Sequence, residues 1–163
     1  MNPCKKLHGF FFYHFHSIYI SIKRIIMDLY TIVNKLKDIA LTIPNVNSVY
    51  DGDIYSLNAK PNVKYGTFFV TQSNHSQTVD SSTFTLTLYY IDRAFQDNST
   101  DLEIHSTGLK VLQSIINKFV YSTDCVVEDE INYTTWIHKF SDYCAGVFCT
   151  INVTTNNDVD LCD

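Results

Sequence analysis

Glycine is scarce in this sequence, with five in 163 residues, and the scarcity excludes several classes of chemistry. Loops that wrap a phosphate need glycines close together so that backbone N–H groups can converge on the ligand. No such cluster occurs, and there is no Walker loop, no HExxH zinc helix and no GxSxG nucleophile turn. Cysteine is present but badly arranged for cross-linking. Cys4, Cys125, Cys144, Cys149 and Cys162 are odd in number, irregularly spaced and never in a CxxC pair, which argues for reduced thiols over a disulfide framework or a zinc site. Internal repeats and long linkers are missing too, which points to one domain.

Basic charge is also lacking over most of the chain. The formal net charge is −5, but Lys5, Lys6, Lys23 and Arg24 all precede Met27 in a segment free of acid, so the remainder holds eight basic and seventeen acidic residues, a net −9. An acidic body is a poor match for phosphate backbones, which need clustered Lys and Arg; sequence-specific nucleic-acid binding is not expected. The first 26 residues, with six aromatics between Leu7 and Ile22, have basic ends around an apolar middle. That run falls short of the roughly 20 residues of a spanning helix, carries His8, His14 and His16, and is followed by no small-residue cleavage site. The expectation is that residues 1–26 are a non-native extension ahead of a start at Met27, and that 27–163 form a single α+β domain. An interfacial membrane tether through 1–26 is the competing reading.

Hydrophobic residues make up 45% of the chain and charged residues 18%, the proportions of a globular fold. From Met27 onward, Leu29, Ile32, Val33, Leu36, Ile39, Ala40 and Ile43 recur at helical spacing and Pro44 ends the run. Short strands are expected at 46–50 and 65–72, the latter buried on both faces because Phe68, Phe69 and Val70 are consecutive. Residues 73–82 are polar and read as an exposed, mobile loop. Phe84, Leu86, Leu88 and Tyr90 then alternate with Thr83, Thr85, Thr87 and Tyr89, a strand with one buried face. Thr100 and Glu103 read as a capping box opening a helix over 101–119, with Leu102, His105, Leu109, Leu112, Ile116 and Phe119 on its apolar face. Further strands are expected at 131–140, which holds the only tryptophan, Trp136, and at 147–154, separated by a turn at 142–146; the tail 156–163 is polar. The fold class expected is α+β: a mostly antiparallel or mixed sheet of about five strands with two amphipathic helices packed on it.

Candidate chemistry is thin. Cys144 or Cys149 with His138 is the only nucleophile and base combination that the sequence suggests, and the alternation around Cys149 gives it a core-facing slot instead. His105 lies on the apolar side of a helix, where a hydrogen-bonded histidine is the commoner occupant. Asp51 and Asp53 flank a turn glycine but are too few for a calcium loop. Four Asn-X-Ser/Thr sequences, at Asn74, Asn98, Asn132 and Asn152, are chance matches in a chain rich in Asn, Ser and Thr, since nothing else supports secretion. No enzyme activity, metal or cofactor is expected.

Four segments carry a resemblance. They are Val46-Asn47-Ser48-Val49-Tyr50-Asp51-Gly52-Asp53-Ile54-Tyr55; Phe84-Thr85-Leu86-Thr87-Leu88-Tyr89-Tyr90-Ile91-Asp92-Arg93; Gly108-Leu109-Lys110-Val111-Leu112-Gln113-Ser114-Ile115-Ile116-Asn117; and 136–153 around Ala145-Gly146-Val147. With these, the body from Met27 to about Thr155 resembles small virion proteins of tailed bacteriophages, particularly crAss-like phages of gut Bacteroides-type hosts. The element order is similar to the tail-terminator and neck fold. The resemblance implies a virion protein, assembled in the bacterial cytoplasm, that forms a ring homo-oligomer with DNA passing through it, contacts other neck or tail proteins and has no membrane role. Heterologous contacts close such rings by rotation. The residues expected at subunit or partner contacts are Asp51, Asp53, Asp92 and Arg93 at strand ends and turns, and Ser73, Asn74 and His75 in the polar segment. A host-side protein-binding module, tethered through residues 1–26, is the alternative.

Overall fold

The computed structural model describes residues 27–59, 63–97, 99–137 and 143–157. Residues 1–26, the segment Lys60-Pro61-Asn62, His138, Phe140 and the tail beyond Asn157 lie outside the described residues, as do Cys4 and Cys162.

Helix α1, Leu29–Leu41, begins where Asp28 accepts the Thr31 amide at 2.8 Å, and it stops at Thr42 ahead of Asn45, whose φ is +73°. Strand β1, Ser48–Asp51, leads through a turn into a short 3-10 helix, Ile54–Ala59. Strands β2, Thr67–Gln77, and β3, Ser81–Arg93, form a long antiparallel hairpin. Helix α2, Asp101–Ser122, is followed by the short β4, Val126–Val127, then β5, Tyr133–Ile137, and β6, Cys144–Asn156. The fold is α+β, a mixed sheet of six strands in the order β1-β2-β3-β6, with β4 and β5 both pairing the outer side of β6. Among the described residues only the β1–β2 pairing is parallel.

Side-chain alternation places the two helices on one face. Phe84, Leu86, Leu88 and Tyr90 of β3 and Val147, Cys149, Ile151 and Val153 of β6 point the same way and are buried against Ile32, Leu36, Val111, Leu112, Ile115 and Phe119 of the helices. α1 and α2 also touch each other. The consecutive Phe68, Phe69 and Val70 are buried on both faces as the sequence requires: Phe68 and Val70 join the helix-side core, while Phe69 joins Leu57, Ile91, Trp136 and Cys144 on the reverse. This second cluster covers only one end of the reverse face, beneath the 3-10 helix and Trp136. The other end presents the hydroxyl and amide side chains of Thr83, Thr85, Thr87, Thr150, Asn152 and Thr154, which hydrogen-bond across the strands.

Several expectations change. Residues 73–82 are not a mobile loop: Ser73 to Gln77 continue β2, and only 78–80 separate it from β3. The turn is clasped by Thr78 N–H donating to the Ser81 carbonyl at 2.8 Å and by Asn157, whose backbone N–H reaches the Asp80 carbonyl at 2.8 Å and whose side chain reaches the Thr78 carbonyl at 3.1 Å. Polar composition misled because this end of β2 has both faces exposed, so no apolar period marks it. Thr100 makes no side-chain capping bond to α2; its hydroxyl accepts the Phe95 amide instead, at 3.3 Å. The buried stripe of α2 is Ile104, Gly108, Val111, Leu112, Ile115, Ile116 and Phe119, and Leu102 is 82% exposed. The turn expected at 142–146 is already strand from Cys144, and α2 runs through Val120 and Tyr121 to Ser122.

Gly146 and Gly108 explain how the layers approach so closely. A Cβ on Gly146 would collide with the Tyr90 carbonyl oxygen and lie 2.8 Å from the Trp136 ring. One on Gly108 would lie 2.9 Å from both Tyr90 and Val147, so this bare position lets α2 settle on β3 and β6.

Candidate assembly surface

β1 has four residues and β2 has eleven, and the mismatch leaves the outer part of β2 as a strand edge that no other described strand covers. β1 covers Thr67 to Val70, and the turn after it is fastened to β2: Gly52 N–H donates to the Val70 carbonyl at 3.0 Å, and the Thr71 hydroxyl donates to the Gly52 carbonyl at 2.9 Å. Beyond that point Thr71 to Gln77 pair with β3 on one side and with no strand on the other among the described residues. Gln72 to Gln77 are all exposed. Folded proteins protect such edges with lysine, proline or an inward charge. Thr71-Gln72-Ser73-Asn74-His75-Ser76-Gln77 has no Lys, Arg, Asp, Glu or Pro; its only protective irregularity is a bulge between Gln72 and Asn74.

Five of the seven residues expected at contacts lie along this margin. Asp51 ends β1 and pairs with Lys37 of α1 at 2.5 Å. Asp53 starts the 3-10 helix, its carboxylate accepting the Tyr55 amide at 3.0 Å and its carbonyl the Ser56 amide at 2.9 Å. Both carboxylates therefore have structural tasks in turn and helix anchoring. The Ser73 hydroxyl donates to the Thr85 carbonyl at 3.2 Å, the Asn74 side chain accepts the His75 amide at 2.9 Å, and the His75 ring stacks on Phe84 with centroids 4.7 Å apart. Asp92 and Arg93 are elsewhere, at the far end of β3, about 20 Å along the strand by its rise per residue. There the Asp92 carboxylate accepts the Tyr90 hydroxyl at 3.2 Å and the Arg93 amide at 2.7 Å. Burial, with the neighbouring Asp92 charge, raises the Tyr90 hydroxyl's pKa, so Tyr90 serves as a donor.

The opposite margin of the sheet is different, and sequence reading did not foresee it as an edge. β4 and β5 pair β6 at Val153–Thr154 and at Ala145 to Cys149 and, among the described residues, leave Thr150 to Asn152 without a strand partner on that side. Across that gap Asn152 donates its side-chain amide to Glu128 at 2.9 Å. Glu128, Asp129 and Glu130 are exposed there, together with Val126, Thr134, Thr135 and Ile137. The acidic triplet thus lies on the connection between two edge strands.

The thiols occupy apolar sites. Cys149 faces the helix-side core, where burial pushes its pKa up to about 12, and Cys144 is buried on the other face of β6. Their opposite orientations prevent both from serving one nucleophilic site, and His138 lies outside the described residues, so the suggested dyad has no described geometry. His105 is half-buried, its Nε2 within 3.2 Å of the Trp136 carbonyl, a hydrogen bond joining α2 to β5. Among the described residues no three His, Cys, Asp or Glu side chains converge on a possible metal position, and no helix is long and apolar enough to cross a membrane. The chain matches no family model and no curated protein.

Proposed function

We propose that this protein is a structural subunit of a tailed-phage virion that works by assembling into a ring at the neck or tail. The carrying observation is the open sheet with two unlike margins, one a seven-residue neutral strand edge and the other acidic. An open sheet with accessible edges is suited to strand addition, where backbone hydrogen bonds supply affinity and alternate side chains supply selectivity. The net −9 of the body from Met27 onward suits a lumen through which DNA passes without being gripped. The resemblance of the four sequence segments to crAss-like phage virion proteins supplies the virion setting, and other neck or tail proteins are the neighbours it implies.

The reading is tested on the full-length protein by light scattering and on purified virions by mass spectrometry. Closed oligomers of defined mass and peptides of this chain in virions are expected. A strict monomer at all concentrations, recovered only from host membranes, would favour the tethered binding module and overturn the proposal.

A further inference from the structure

Resting on that assembly reading, we infer that neighbouring copies join head to tail across their sheet margins, with Thr71 to Gln77 of β2 in one copy meeting the β4–β5 margin of the next. Three combinations of these margins are conceivable. Joining two β4–β5 margins would bring two Glu128-Asp129-Glu130 triplets together, and like charges at close quarters oppose that contact. Joining two β2 edges is isologous and stops at a dimer through that contact. Joining unlike margins repeats from copy to copy and closes by rotation. The β2 edge suits an acidic neighbour because it holds no carboxylate within an acidic body, and its one titratable side chain is His75. Its absence of proline leaves every backbone N–H able to donate, whereas Ser73 and the adjacent bulge limit the regular part of the contact to the end nearer the hairpin turn.

Charge substitution on the full-length protein separates the alternatives. Gln72 and Ser76 are exposed and make no side-chain hydrogen bond among the described residues, so both can be changed with circular dichroism as the fold control. Gln72→Asp with Ser76→Asp should weaken oligomerisation by about tenfold or more in light scattering. Gln72→Lys with Ser76→Lys should preserve it, because an edge lysine opposes pairing through an uncompensated charge and the Glu128-Asp129-Glu130 triplet of the next copy supplies the compensation. Glu128→Lys with Glu130→Lys should rescue the Asp pair. Loss of assembly in both the Asp and Lys variants would overturn the head-to-tail contact in favour of a β2–β2 pair. Unchanged assembly in both would overturn the strand-edge contact while leaving the ring intact, and a monomeric wild type would remove the assembly reading itself. Hydrogen exchange on the wild type gives an independent measure: amides in both 71–77 and 126–137 should gain protection as concentration rises, and a gain in neither would overturn the inference even if a variant misfolds.

Discussion

At the scale of single residues, contact distances decide which changes the protein tolerates. Gly146→Ala sets a methyl against the Tyr90 carbonyl and the Trp136 ring, neither of which can yield without moving strand or core. A loss of about 3 kcal/mol or more is expected in chemical denaturation. Gly108→Ala gains helix propensity worth about 1 kcal/mol. It meets the buried Tyr90 and Val147 side chains, so a net loss of about 1–2 kcal/mol is expected. The Cys149 thiol, buried and held protonated to about pH 12, should resist iodoacetamide at pH 8 in the native state and react once the protein is unfolded, as peptide mass mapping would show. Asp28 offers a pH signature. Its hydrogen bonds to Thr31 lower its pKa below the ordinary 3.8, so its contribution is present above about that value and is lost as pH falls through the lower folded value. Asp28→Asn keeps an N-cap acceptor but removes the titration, and a flatter acid limb of stability against pH below about 4 should result.

At the scale of elements, the β2–β3 hairpin combines the best-protected strand with an exposed one. β3 is hydrogen-bonded along its length to β2 and to β6, and buries every second side chain from Ser82 to Tyr90. Among the described residues the outer part of β2 is paired only to β3. Amides of β3 should therefore exchange only on global unfolding, while those of Gln72 to Gln77 should include a faster set at low concentration. The cross-strand threonine pairs matter less individually: Thr85→Ala removes a 2.7 Å bond to Asn152 and should cost about 0.2–1 kcal/mol in urea denaturation. α2 was legible as a helix over nearly its whole length, because its apolar residues recur at helical spacing. Its buried stripe was legible only in part, since Leu102 sits in the first turn ahead of the packed region, whereas Gly108 counts as core only where another element presses on it.

On the scale of the whole molecule, the assembly contact should link stability to concentration. Association that favours the folded chain stabilises it by mass action, so the melting temperature of the full-length protein should rise with protein concentration. In the Gln72→Asp, Ser76→Asp variant that rise should largely disappear in calorimetric scans. The proposed surface was half visible in the sequence. Residues 73–75 were marked by polarity as a contact segment, yet their polarity suggested a loop where there is a strand edge. Asp51 and Asp53 were marked by their turn, and the structure puts them on the same margin but engages them with Lys37 and the 3-10 helix. Asp92 and Arg93 were grouped with these by their place at a strand end, which they do occupy, but the length of β3 carries that end away from residues 73–75.

Local periodicity alone determined the α+β class, the one-sided burial of β3 and β6, the double-sided burial of Phe68 to Val70, and the core-facing slot of Cys149. Each is recorded in spacing because burial selects apolar side chains at every second or every third and fourth position. Tertiary structure alone decided that the polar run after Gln72 is strand, that β1 is parallel and too short to cover it, and that the acidic triplet falls between two strands on the opposite margin. Those features depend on hydrogen bonds between backbone groups far apart in sequence, and a backbone hydrogen bond leaves no mark on residue choice where both faces of the strand meet water.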